Sequence, residues 1–303
     1  MIDATDAHNC EHDAMVATIL VGTCNWSDHR DFYPVGLAAR DRLAYYAKYF
    51  PLVEVDSSYY AIPPPQRTAT WARATPPEFR FNFKAYRALT YHEREQGALR
   101  EPTGDEERAF LACLEPVREA GKLRAVHYQF PPWFTAAPEN ANRLSRLRDR
   151  HPDDLVVVEF RHRSWARDEG LVGLLELLRE AQLSLCLVDE PQLGTGSFPT
   201  LTEVTDPRLA VIRFHGRNRS TWYRSGPTSA DRFDYLYRED ELREWLGRVD
   251  ELSSRVAEVH VLFNNNRANY AVVNGLQMAQ LLGLQYPAPA SSPSLFELSS
   301  GPS

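Results

Sequence analysis

The amino-acid sequence predicts an α/β protein built as a single (β/α)8 barrel, and three observations support this fold class. Short β-branched or aromatic segments alternate with longer segments of helical period from about residue 16 to residue 286. Eight such short segments occur, which is the strand number of this barrel. An open doubly wound sheet would alternate in the same way, but its first strand usually leads into a glycine-rich loop, and Gly22-Thr23-Cys24-Asn25 is not one. One barrel domain over 16–286 is therefore expected.

The predicted elements follow in order along the chain. The strands are the runs at 18–21, 52–55, 80–83, 125–128, 155–158, 184–187, 210–213 and 259–262. The helices are the segments with helical period at 37–50, 66–74, 105–120, 138–150, 168–181, 239–252 and 270–282. The sixth crossover, 189–208, is rich in Gly, Pro and Thr and predicts no helix. Residues 1–15 and 287–303 are predicted to be disordered tails.

The composition excludes several classes of protein. A chain of 303 residues with 43% hydrophobic and 25% charged residues has the proportions of a globular domain. No apolar segment approaches the roughly 18 residues that span a bilayer, and the acidic start of the chain does not resemble a signal peptide, so a cytoplasmic protein without a membrane partner is expected. The net charge of −7 argues against nonspecific coating of nucleic acid. The cysteines form no CxxC pair, which favours reduced thiols over disulfides or structural zinc: Cys10, Cys24, Cys113 and Cys186.

Polar residues at alternate strand positions indicate which side chains face the barrel lumen. In the third strand Phe81 and Phe83 are expected on the helix side, so Asn82 and Lys84 face inward. The same reasoning gives a polar set at the carboxyl ends of the other strands: Glu54 and Asp56, His127 and Gln129, Glu159 and Arg161, Asp189, Arg213 with His215 and Arg217, and His260 with Asn264. Active sites of such barrels lie at this end. A buried ion-pair network is the alternative explanation, but many charges buried only to hold a core together are costly compared with apolar packing.

The charges of this set predict an anionic ligand, because several cations gather at one mouth of an otherwise acidic protein. These cations are Lys84, Arg161, Arg213 and Arg217. The other predicted substrate-binding residues are Trp26, Tyr59, Gln129 and Asn264. The predicted catalytic residues are three candidate bases and one histidine that could act as acid, base or ligand: Glu54, Glu159, Asp189 and His215.

The leading hypothesis is an enzyme that acts on a phosphate- or carboxylate-bearing substrate, with no cofactor and with a reaction type and oligomeric state that the sequence does not determine. A bound divalent metal is a secondary hypothesis. It ranks below the anion because the neighbouring Arg and Lys would compete with a metal ion for the same carboxylates. A nucleic-acid-binding or processing protein is the second functional hypothesis, with basic residues on phosphates and aromatic residues on bases. A non-catalytic sensor of a metabolite anion is the third.

Ordered motifs along the chain resemble a known family. They are Gly22-Thr23-Cys24-Asn25-Trp26, Phe32-Tyr33-Pro34, Leu43-Ala44-Tyr45-Tyr46-Ala47, Val53-Glu54-Val55-Asp56-Ser57-Ser58-Tyr59-Tyr60, Phe81-Asn82-Phe83-Lys84-Ala85, Gln129-Phe130-Pro131-Pro132, Val158-Glu159-Phe160-Arg161-His162, Arg213-Phe214-His215-Gly216-Arg217-Asn218 and Phe263-Asn264-Asn265-Asn266. Through these motifs, residues 21–282 closely resemble the YecE-like proteins called domain of unknown function 72. The resemblance implies a TIM barrel, loosely similar to the xylose isomerase and endonuclease IV group, with no established activity. Two positions depart from the family: Asn25 stands where Gly is usual, and Tyr91 separates Thr90 from His92.

Overall fold

The computed structural model describes residues 17–220, 222 and 233–287. The strands in this part of the chain are β1 (Thr18–Cys24), β2 (Leu52–Val55), β3 (Arg80–Lys84), β4 (Arg94–Glu95), β5 (Ala98–Leu99), β6 (Leu123–Gln129), β7 (Val156–Glu159), β8 (Leu183–Asp189), β9 (Ala210–Phe214) and β10 (Glu258–Phe263). The predicted tails at 1–15 and 287–303 lie outside the described residues, apart from Pro287.

Eight of these strands close into a parallel barrel in the order β1-β10-β9-β8-β7-β6-β3-β2. Each strand pairs in parallel with its neighbour, and β1 completes the ring by pairing with both β10 and β2. Every predicted strand overlaps one barrel strand, so the predicted (β/α)8 fold is confirmed. The hairpin of β4 and β5 was not predicted, because two residues per strand are too few to show an alternating pattern.

The helices lie between the barrel strands. They are α1 (Arg42–Tyr46), α2 (Pro65–Arg73), α3 (Gly104–Glu119), α4 (Pro138–Ser145), α5 (Leu147–Arg150), α6 (Asp168–Glu180), α7 (Glu239–Arg243), α8 (Leu246–Ser253) and α9 (Tyr270–Leu281). The predicted helices 138–150 and 239–252 are each divided in two, and 37–50 is reduced to α1. The sixth crossover contains one short 3-10 helix, Gly194–Gly196, in agreement with the absence of a helical pattern. Helix α3 begins with a capping box between Thr103 and Glu106, the local signal that fixes its start.

Apolar side chains on the two faces of the strands form separate clusters. Phe81 and Phe83 belong to the cluster between sheet and helices, as the alternation predicted. A second cluster fills the lumen below the site with Cys24, Leu52, Ala125, Leu155, Val157, Cys186, Val188, Leu209, Val211 and Leu262. The lumen is therefore a packed core up to the level at which the polar side chains begin.

One glycine is required where β1 meets β2. A Cβ atom on Gly22 would lie 2.2 Å from the carbonyl oxygen of Leu52, which is backbone and cannot move aside. Cys24, Cys113 and Cys186 are buried free thiols, in agreement with the prediction of reduced cysteines, and Cys10 lies outside the described residues. In the described part of the chain, no helix combines the length and apolar character that crossing a membrane requires.

Candidate functional site

A cavity of about 410 Å³ opens at the carboxyl ends of the barrel strands. Its walls are formed by polar and aromatic side chains from the strand ends and the loops that follow them. The lining residues are Asp56, Tyr59, Tyr60, Lys84, His92, Gln129, Pro132, Trp133, Arg161, Gly196, Trp222, Phe233, Asn264 and Asn266. Five of the predicted substrate-binding residues are among them: Tyr59, Lys84, Gln129, Arg161 and Asn264.

Among the described residues, two cations face this cavity, each with an aromatic ring beside it. Lys84 Nζ lies 4.7 Å from the ring centroid of Tyr59, and the guanidinium carbon of Arg161 lies 5.5 Å from that of Trp222. Lys84 also donates to Asp56 Oδ1 over 2.8 Å. Gln129, on the strand between them, accepts from Arg161 Nη2 over 3.5 Å. The cavity therefore presents an ammonium and a guanidinium to the same space.

Below the cavity, Arg213 joins two glutamates in the closed part of the lumen. Its Nη2 donates to Glu54 Oε1 over 2.6 Å and its Nη1 to Glu159 Oε2 over 2.7 Å, with all three side chains fully buried. Burial alone would raise the pKa of both carboxyls, but Arg213 at Glu54, and Arg161 with Arg213 at Glu159, outweigh it and hold both pKa values well below the usual range. Both glutamates are therefore carboxylates that already have a partner, which makes them poor bases near neutral pH.

His127 lies between the same two glutamates. Its Nδ1 is 3.0 Å from Glu54 Oε2 and its Nε2 is 3.3 Å from Glu159 Oε2, with angles that do not suit hydrogen bonds. His127, Glu159 and Cys186 also bring one potential metal ligand each within 4.8 Å of one another. This donor set fits a divalent cation poorly, because Arg213 already holds Glu159 and because burial raises the pKa of the Cys186 thiol well above its usual value.

Arg161 connects the cavity to a second buried group. Its Nη2 lies 2.5 Å from Glu159 Oε1 and donates to His215 Nε2 over 2.8 Å, while its Nη1 donates to Glu190. Burial, together with Arg161, lowers the pKa of His215 well below its usual value, so this imidazole is neutral. Burial raises the pKa of Glu190 to about 7, with Arg161 opposing the shift and Glu159 adding to it.

His92 lies at the cavity wall, near several cations. Burial and then the cations Lys84, Arg161 and Arg87 lower its pKa to about 3. The three cations therefore oppose protonation of His92, in addition to the larger effect of burial.

The remaining predicted residues are not all at the cavity. Glu54, Glu159, His215 and Arg213 lie beneath its floor, each fully buried. Trp26 was predicted to bind substrate but packs on the helix side, edge to face with Trp71 at 5.1 Å. Asn25, just before it, has φ of 73° and turns the chain away from the lumen, which explains why glycine is usual there.

Asp189 also faces away from the lumen, contrary to the prediction. Cys186 and Val188 belong to the lumen cluster, so Asp189 has the opposite parity and points to the helix side. It accepts from Tyr237 Oη over 2.9 Å and from Trp245 Nε1 over 2.7 Å. Of the six residues before it, five are apolar and Ser184 alone is polar, which is too little alternation to show its side.

Arg217 is the third correction, and its cause is a glycine. Gly216 has φ of 88°, a left-handed conformation that ends the alternation of β9, so the parity of His215 does not extend to Arg217. Arg217 instead forms a double hydrogen bond with Asp189, Nε to Oδ1 at 3.0 Å and Nη2 to Oδ2 at 2.6 Å. Both residues line a separate cleft of about 350 Å³ outside the barrel lumen.

Two notable residues were absent from the predicted site. Glu190 is one position beyond Asp189 and lies on the same side of the strand as Cys186, which faces the lumen. Counting alternate residues from Cys186 would therefore have placed Glu190 in the site. His92 lies in the loop after β3, where strand alternation gives no signal.

A closed parallel barrel with a polar cavity at the carboxyl ends of its strands defines a TIM-barrel protein. The chain belongs to the family described as "Protein of unknown function DUF72", whose model matches residues 20–296, and the resemblance inferred from the motifs is confirmed. UPF0759 protein YunF of Bacillus subtilis is 37% identical over 274 residues, which cover 88% of this chain and 96% of that protein.

Solved structures of the same family have the same fold. A DUF72 family protein of Enterococcus faecalis (EF0366) is 33% identical, with a TM-score of 0.77 over 89% of this chain and all of its own. A DUF72 family protein of Thermotoga maritima (TM1631) is 34% identical, with a TM-score of 0.77 over 88% of this chain and 99% of its own. UPF0759 protein YecE of Escherichia coli is 30% identical over 145 residues, 48% of each chain. These names assign no activity or substrate.

Proposed function

We propose that the protein is an enzyme that binds a small molecule bearing a phosphate or carboxylate group in the cavity at the carboxyl ends of the barrel strands. The observation that carries this proposal is geometric: the ammonium of Lys84 and the guanidinium of Arg161 line the same cavity. A bound anion would relieve the mutual repulsion of these two cations. The volume of about 410 Å³ suits a metabolite-sized ligand.

Lys84 is the cation best placed to contact the anion. An ammonium group has three donors, and Asp56 accepts one of them, so two remain for a ligand. Arg161 contributes its charge, because both of its terminal nitrogens contact buried partners and its Nε is enclosed. Gln129 and Asn264 add neutral donors and acceptors to the same wall. Cations preorganised in this way would also stabilise negative charge that develops during a reaction.

The geometry changes the roles of the other predicted residues. Arg213 is fully buried between Glu54 and Glu159, so in this proposal it holds the floor of the site together and does not bind the ligand. The two glutamates then support the cations from below instead of acting as bases. His215 is neutral and is held between Arg161 and Asn264, so in this proposal its role is to position Arg161.

The binding part of the proposal is tested by calorimetric titration of the protein with inorganic phosphate and with acetate. Lys84→Met removes a charge-assisted contact of about 1.5–3 kcal/mol, so we expect an affinity roughly 10- to 100-fold weaker than that of the wild type. Arg217→Met is the matched control, because it removes a cation of the separate cleft and leaves the cavity intact. Equal affinity in the wild type and Lys84→Met, or a loss confined to Arg217→Met, would contradict the proposal.

Catalysis is tested separately from binding. Mixtures of phosphorylated and carboxylated metabolites incubated with the protein should show conversion of at least one compound by ³¹P or ¹H NMR, and Lys84→Met should slow it. A ligand that binds in the cavity and is never converted would favour the sensor hypothesis over the enzyme.

A further inference from the structure

His92 is the histidine that lines the cavity, whereas His127 and His215 lie in or below its floor. It follows β3 in the chain and packs edge to face against Tyr59, with ring centroids 4.9 Å apart. Its ring also contacts that of Trp133 at 6.0 Å. The imidazole is therefore held in a fixed orientation by aromatic neighbours while it borders the ligand space.

The hydrogen bonds of Thr90 determine which ring nitrogen of His92 carries the proton. The Thr90 hydroxyl lies 3.2 Å from the carbonyl oxygen of Arg87, to which it donates its only proton. The same hydroxyl oxygen lies 2.8 Å from His92 Nδ1 and can then only accept from it. A neutral His92 thus has its proton on Nδ1, and Nε2 carries an unshared electron pair.

Nε2 has no hydrogen-bond partner among the residues that the structure describes. This atom is not fully enclosed by the protein. Since Nδ1 is directed to Thr90, Nε2 is the nitrogen available to a ligand in the cavity. We propose that His92 Nε2 accepts a proton from the bound substrate, and that the anionic group of the substrate makes this transfer favourable. The inference rests on the proposed function and assigns to it a base.

The proton transfer is simple to write. An O–H or acidic C–H bond of the substrate breaks, and its electron pair stays on the oxygen or carbon. The proton forms a bond to Nε2, while the Nδ1–H group keeps its hydrogen bond to the Thr90 hydroxyl. The imidazolium that results lies beside the bound anion, which compensates its charge. The proton then returns to the product or passes to water, so no oxidant or metal is required.

The charges that surround His92 explain why the anion is needed. Lys84 from β3, Arg161 from the end of β7 and Arg87 from the intervening loop all oppose its protonation. Asp56 is paired with Lys84 and Glu93 with Arg87, so these carboxylates are already engaged with the cations. An anion bound at Lys84 and Arg161 would cancel much of the opposing field and raise the pKa of His92 toward the neutral range.

The test is a histidine side-chain NMR titration of the full-length protein, with His92→Gln to assign the signals. In the anion-free wild type, His92 should stay neutral with Nδ1 protonated through the accessible pH range. Saturating inorganic phosphate should raise its pKa by about 1–3 pH units. Lys84→Met should raise it without phosphate, because one of the opposing cations is gone. His162, which bonds Ser164 and is absent from the cavity wall, is the internal control and should not respond.

The outcomes separate this inference from the proposed function. If calorimetry detects phosphate binding but the His92 signals move no more than those of His162, the inference is wrong and the anion site stands. If the Nε2 tautomer is found, the assigned role of Thr90 is wrong. If phosphate does not bind at all, the proposed function fails and the inference fails with it. Once a substrate is known, His92→Gln should lower kcat far more than it raises KM, and a mere packing role would not produce that difference.

Discussion

Substitution of Arg213 by methionine is expected to destabilise the protein severely, because it removes the arginine partner of buried Glu54 and one of the two arginine partners of buried Glu159. Met has a similar length and no charge, so packing is nearly retained while Glu54 and Glu159 lose their bonds of 2.6 and 2.7 Å. Breaking one buried ion pair by removing a partner costs about 3–5 kcal/mol. Against a typical stability of about 5–15 kcal/mol, the variant should retain a small part of the stability or fail to fold near neutral pH.

The pH dependence of this loss follows from the lowered pKa values. In the wild type, the pKa values of Glu54 and Glu159 lie below those of the unfolded chain, so their contribution to stability is present above about pH 4.5 and is lost as the pH falls through the folded values. Without Arg213, Glu54 loses the largest of the charges that oppose its desolvation, so its pKa rises and the variant gains stability as this carboxyl becomes protonated, whereas Glu159 keeps Arg161. The difference between the two proteins should therefore shrink as the pH is lowered from about 7 to about 5.

The assay is urea unfolding at the two pH values, followed by circular dichroism. Arg243→Met is the matched control, since it removes an exposed pair with Glu239 and should change stability by less than about 0.5 kcal/mol. Arg213→Met/Glu54→Gln should recover most of the loss, because Glu159 keeps Arg161, and it also covers the case in which the single variant does not fold. A loss below about 1 kcal/mol at neutral pH, or a loss independent of pH, would refute the assignment of Arg213 as the holder of the buried carboxylates.

Three further predictions concern other parts of the site. Burial raises the pKa of Glu190 to about 7, so its protonated carboxyl should give an infrared band that disappears between about pH 6 and 8. The band should be missing in Glu190→Gln, and an unchanged band in that variant would show that it belongs to another carboxyl. Asp189→Asn should cost about 1–3 kcal/mol in urea unfolding, because its bonds to Arg217 and Trp245 are weakened, and phosphate affinity should not change. A single-stranded oligonucleotide should bind weakly, with little dependence on salt in fluorescence anisotropy; tight, steeply salt-dependent binding that Arg217→Ala abolishes would favour the nucleic-acid hypothesis.

The barrel could be predicted from the sequence because its signal is repeated. Eight buried strand-like segments separated by helical segments are compatible with few fold classes. Misplacing one strand does not alter the positions of the other seven. In the third strand, polar Asn82 and Lys84 alternate with Phe81 and Phe83, which also indicated which side faces the lumen. The same reasoning correctly placed Gln129 and Arg161 at the cavity.

The alternation failed where its physical basis ends. In β8, Ser184 is the one polar residue before the strand end, too weak a signal to fix which side faces the lumen, so Asp189 was assigned to the lumen in place of Glu190. Gly216, with its positive φ, ends the extended backbone and releases Arg217 to the outside. The sequence also could not show that Arg213 is enclosed between two glutamates, because the distance from a strand end to the solvent depends on how the loops close over the barrel. His92 is placed by loop packing alone.

The measurement that tests the central claim most directly is a crystal structure of the protein grown with saturating phosphate. We expect an anion in the cavity within about 3 Å of Lys84 Nζ, with Arg161 and His92 beside it. A cavity without bound anion, or an anion held only by Arg217 in the separate cleft, would contradict the assignment of this cavity as the anion site.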